Sequence, residues 1–75
     1  MKREGVSAGV PDIFVPRARM GYHGLFLEMK VAKGGKVSDV QKMWIAILRE
    51  EGYRVEVCEG ASAAIDVIDE YFDLK

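Results

Sequence analysis

The segment Leu25-Phe26-Leu27-Glu28-Met29-Lys30 restricts this chain more than any other, because an apolar run ends there in alternating charge. The apolar frame implies a strand. On a strand, residues two apart point to the same face, so Glu28 and Lys30 share one face while Met29 points into the opposite layer. Charges at the interior end of a strand call for a metal or an ion pair. Pro11-Asp12 opens a second apolar run sixteen residues ahead of Glu28. Strands folded side by side would bring Asp12 to Glu28, and two hard oxygen ligands that close make a divalent-cation site of the Mg²⁺ type with Lys30 beside it.

The rest of the chain supplies the frame. A first strand is expected over residues 12–15, ended by Pro16, and a second over 25–31. The intervening 17–24, with two glycines and alternating charge, fits a hairpin between antiparallel strands. Ser38, with Gln41 three residues on and Val37 before it, reads as a capping box and staple that start a helix. Val40, Met43, Trp44, Ile47 and Leu48 then recur at helical period, predicting that this stripe faces the core. Gly52 ends the helix, and residues 53–58 alternate as a third strand laid on the sheet after a right-handed crossover. Ala61, Ala64, Ile65, Ile68 and Phe72 predict a closing amphipathic helix, capped by Gly60 or Ser62. The fold class is therefore α/β, with a mixed three-stranded sheet in the order β-β-α-β-α packed against helices.

Gly9-x-Pro11-Asp12, an apolar strand, Glu28-x-Lys30 and a helix carrying Gln41 together resemble the Pro-Asp…(Asp/Glu)-x-Lys nuclease superfamily, and most closely its virus-type replication-repair nuclease domain. The resemblance runs from about Gly5 to the end of the chain. It implies a Mg²⁺- or Mn²⁺-dependent deoxyribonuclease in which Asp12 and Glu28 hold the metal, the Met29 carbonyl adds a ligand, and Lys30 and Gln41 complete the catalytic set. Lys30 has two candidate roles, polarising the scissile phosphate or holding the attacking water. Gln41 is either half of the capping box or a group orienting the site, and one amide oxygen is not expected to serve both fully. Stand-alone relatives are similar to Holliday-junction resolvases, which implies branched DNA as substrate and a homodimer with two active sites. The family usually carries an N-terminal helix bearing a further acid; here Glu4 is the only acid upstream, so the chain is read as a single domain over residues 1–75 lacking that helix. Its absence would leave apolar sheet surface uncovered, which favours a dimer.

A chain of 75 residues, 49% hydrophobic, builds one small domain with a thin core, the size at which a partner subunit often supplies stability. The single Cys58 excludes an internal disulfide and suits a reduced, buried thiol in the cytoplasm. No apolar stretch is long enough for a membrane span and no signal peptide is visible, so the chain reads as soluble and intracellular, with a phage origin for it left open. A formal net charge of -1 gives no global pull toward nucleic acid. Local distribution matters more, since Arg17, Arg19, Lys33 and Lys36 flank the site and would grip phosphates, whereas acids concentrate toward the end. His23 lacks a second histidine or cysteine at ligand spacing and reads as loop chemistry or a DNA contact. Gly34-Gly35 lacks the lysine-serine pair of a nucleotide loop, and no small-molecule cofactor is expected. Trp44 is expected in the core rather than as a base platform, and Tyr71-Phe72 against the sheet or a partner. The alternative to an enzyme is a non-catalytic nucleic-acid-binding or dimerisation module that keeps the same fold.

Overall fold

Chain order in the computed structural model, which describes residues 9–31 and 36–73, is β1 (Ile13–Val15), β2 (Leu25–Lys30), α1 (Asp39–Glu50), β3 (Arg54–Glu59) and α2 (Ala61–Phe72). Glu4, Lys33 and Gly34-Gly35, to which the sequence gives roles, lie outside the described residues. The sheet order is β1-β2-β3. β1 runs antiparallel to β2 with Phe14 opposite Phe26, and β3 runs parallel to β2 with Glu28 opposite Val57. The expected mixed sheet is therefore present, and α1 is the crossover that a parallel pair requires.

The β1–β2 connection turns at Met20 and Gly21, both at positive φ (55° and 84°), inside a bridge between Arg19 and Tyr22. Two successive positive φ values give the twist that matches paired antiparallel strands. The hairpin is tied to the far end of the chain: Arg19 donates to the Phe72 carbonyl at 3.1 Å and lies over the Phe72 ring, while the Tyr71 hydroxyl donates to the Arg17 carbonyl.

Alternation along β2 divides the molecule. Leu25 and Leu27 point to one face, where with Cys58, Ala64 and Tyr71 they form the fully buried core beneath α2. Glu28 and Lys30 point to the other face, where they bond a side chain of α1. The helices thus cover opposite faces. Burial holds the Cys58 thiol above its usual pKa, with Glu56 adding to the shift, which suits a packing residue and not a nucleophile.

Both helices start close to where the capping signals place them, but their apolar stripes do not all face inward. On α1 the buried residue is Ile45, at 8% exposure, while Val40, Met43 and Ile47 are exposed, Met43 to 52%. The physical reason is lateral placement. α1 packs chiefly on β3, so the side turned to the sheet is rotated from the apolar stripe and part of that stripe overhangs. On α2 Ile65 is likewise exposed, and Ala64 and Tyr71 take the core positions. Gly60 occupies the α2 N-cap without any side-chain cap. Among the described residues no helix is long and apolar enough to cross a membrane.

Candidate active site

The capping box at the start of α1 positions the centre of the site. Ser38 Oγ accepts from the Gln41 N–H at 3.2 Å, and Gln41 Oε1 accepts from the Ser38 N–H at 2.8 Å. The same Oε1 accepts from Lys30 Nζ at 2.9 Å, and Gln41 Nε2 donates to Glu28 Oε2 at 2.9 Å. The expected competition between capping and site roles does not arise, because an amide oxygen has two lone pairs and the amide nitrogen faces the carboxylate. One residue therefore caps the helix and holds both charged groups of β2. Gly9 lets this happen at close quarters. Its φ is 93°, and a Cβ there would lie 2.5 Å from Val40 Cγ1 and 3.1 Å from the Gln41 nitrogen.

Glu28 is 3% exposed, and its Oε1 has no hydrogen-bond partner among the described residues. Burial raises its pKa above the ordinary carboxylate value; neighbouring Asp12 pushes it further up, and Lys30, 3.7 Å from Oε2, pulls against both. Asp12 lies just ahead of β1 and accepts the Met29 N–H on Oδ2 at 2.9 Å. Within a strand a residue's N–H and carbonyl point to the same side, so the Met29 carbonyl is directed to the Asp12 side beyond the end of β1.

Asp12, Glu28, Met29, Lys30 and Gln41 thus lie together at one end of the sheet. Among the described residues no three of His, Cys, Asp and Glu gather as a metal-holding group. A cation here would have two carboxylates and a backbone carbonyl as its protein ligands, a set that suits Mg²⁺, which keeps several waters. The orphaned, desolvated Glu28 Oε1 fits such a ligand, since an unmade bond at a buried carboxylate is costly.

The basic residues are less uniform. Arg17 and Lys36 are exposed. Arg19 is half-buried with its guanidinium on the α2 C-terminus, a structural post that its sequence position does not disclose. His23 is exposed, its ring edge-on to Tyr53 and its N–H donating to the Gly52 carbonyl at 2.8 Å. The capping box signals the Ser38 N–H as a donor to the Gln41 side-chain oxygen, but only the fold shows that this same oxygen also accepts from Lys30.

The VRR-NUC domain family matches residues 1–62. A solved structure described as a VRR_NUC domain protein is 40% identical and superposes with a TM-score of 0.89, over 96% of this chain and 59% of its own. The chain thus spans about three-fifths of that protein. No curated protein matches it. With a family match over most of its length and a shared fold at this identity, the chain belongs to the VRR-NUC domain family of nuclease-like domains.

Proposed function

We propose that the chain is a metal-dependent DNA endonuclease, selective for branched DNA such as four-way junctions and acting as a homodimer. The observation that carries the reading is the buried Glu28, one oxygen without a hydrogen-bond partner among the described residues, set against Asp12 and locked beside Lys30 by Gln41. Asp12, Glu28 and the Met29 carbonyl would hold Mg²⁺ or Mn²⁺. When bound, such a cation lowers the pKa of a coordinated water and offsets charge building on the phosphate. Lys30 spends one N–H on Gln41 and keeps donors for a phosphate oxygen or the attacking water. Gln41 positions it: the amide fixes the ammonium's direction and shares Glu28 with the cation. Arg17 and Lys36 are the exposed cations available to the flanking phosphates. The overhanging Val40, Met43 and Ile47 of α1 support a second copy as the partner.

The test is cleavage of a labelled four-way junction, a flap and plain duplex with Mg²⁺, Mn²⁺ or chelator, comparing wild type with Lys30→Ala across a range of protein concentrations. Metal-dependent cutting lost in the variant is the expected result, with the junction preferred. Absence of cutting under every condition overturns the enzyme reading in favour of a binding module.

A further inference from the structure

The sheet face that carries the acidic pair also carries aromatic residues that the mechanism above does not use. Phe14 follows Asp12 by two residues and Phe26 precedes Glu28 by two, so alternation places all four side chains on the same face. Phe14 and Phe26 are cross-strand partners whose rings stack at 4.5 Å and 22°. Tyr53 meets both edge-on, at 6.2 and 5.3 Å, and so fixes the stack. Gly24 makes room for it, since a Cβ there would lie 2.9 Å from Phe14 Cε1. Phe14 is 48% exposed even though one face of its ring lies on Phe26. A rigid aromatic ring with its other face open therefore sits one pleat from the carboxylates.

We propose that Phe14 is a stacking platform for an unstacked nucleobase, at a branch point or in a single strand, one or two nucleotides from the scissile phosphate; this rests on the nuclease reading above. Two residues of an antiparallel strand span about 7 Å. That distance is about two steps of a stacked nucleic-acid strand at about 3.4 Å each. In intact duplex every base is sandwiched by its neighbours, so only a base freed at a branch, flap or single strand offers Phe14 a π-face. The platform selects nucleic acid by exposed, unstacked bases and not by sequence, because every base has such a face. It adds a preference that overall charge does not supply, the net charge being -1.

The test compares binding, with Ca²⁺ in place of Mg²⁺, to a flap oligonucleotide carrying 2-aminopurine at its first unpaired position and to the same flap with an abasic residue there. Wild type is expected to favour the base-containing probe by about tenfold and to quench its fluorescence, since stacking one base contributes on that scale. Phe14→Ala and Phe14→Leu should bring the ratio to about one, and Phe14→Trp should retain it. Phe14→Leu keeps an apolar contact on Phe26, so an unchanged melting temperature in that variant separates lost stacking from lost folding. A wild-type ratio near one, or a ratio that persists in both Ala and Leu variants, overturns the platform, including the case where either variant changes oligomeric mass instead. Failure of the nuclease reading shows differently, as absence of metal-dependent cutting whatever this ratio is.

Discussion

The two faces of one three-stranded sheet have been put to opposite uses. Beneath α2, Leu25, Leu27, Cys58, Ala64 and Tyr71 close a dry apolar core. Beneath α1, the same strand presents Glu28 and Lys30, held by a glutamine, with an oxygen left unbonded and apolar helix residues in solvent. Alternation makes this possible, since each step along β2 changes the layer. Stability and chemistry are separated by a single residue of register, and a one-residue slip would exchange them. Small domains have little surplus stability, so it matters that the costly burial of Glu28 is confined to one side.

Substitutions on the two faces should therefore fail in different ways. The largest effect on stability is expected for Leu27→Ala, fully buried under α2, at about 2–5 kcal/mol in denaturant unfolding, with cleavage per folded molecule unchanged. Lys30→Met on the opposite face should do the reverse, lowering the cleavage rate by about 10²–10³ while leaving the unfolding midpoint close to wild type. If Lys30→Met unfolds the domain as severely as Leu27→Ala, the division of labour is wrong. Ser38→Ala removes half of the capping box and should cost about 1 kcal/mol in thermal unfolding. It sharpens the comparison because Gln41 is shared: a cap serving only the helix would leave cleavage untouched, whereas a rate loss beyond the unfolded fraction shows the cap reaching the site.

The smallest effect is a matter of sign. Glu28 has a raised pKa in the folded chain, so its contribution to stability is fully present below its unfolded value, near 4.5, and is lost as pH rises through the folded value. Without added metal, Glu28→Gln should accordingly melt above wild type at neutral pH, the gap shrinking as pH falls through the folded value and closing by about 4.5. Added Mg²⁺ should narrow the gap from the other direction, by stabilising wild type alone. A variant less stable than wild type at neutral pH without metal would mean that Glu28 is a structural ion-pair member.

Much of this division is legible in the sequence, and the exceptions have physical causes. The spacing of Glu28 and Lys30, the Ser38-x-x-Gln41 signal and the glycine at position 9 are local, and local rules of alternation and capping place them. The contact that anchors Arg19 is not legible in the sequence because its partner, the Phe72 carbonyl, lies 53 residues away in the chain. The α1 stripe was misjudged for a related reason. Helical period finds which residues are apolar, but the side that is buried depends on which strand the helix rests on, and α1 rests on β3. Val57 shares a face of β3 with Val55, yet Val55 is buried whereas Val57 stays exposed beside an open cavity that it lines with Val37, Ile45 and Ala46.

Gln41 makes the start of a helix and the readiness of the site one event. The first turn of α1 cannot fray without releasing Lys30 and Glu28, and Lys30 and Glu28 cannot be set without the turn that carries the amide. Helix ends open and close far more often than whole domains unfold. Opening of that single helical turn would release both charged side chains together, so anything binding to the carboxylates would also hold the helix wound.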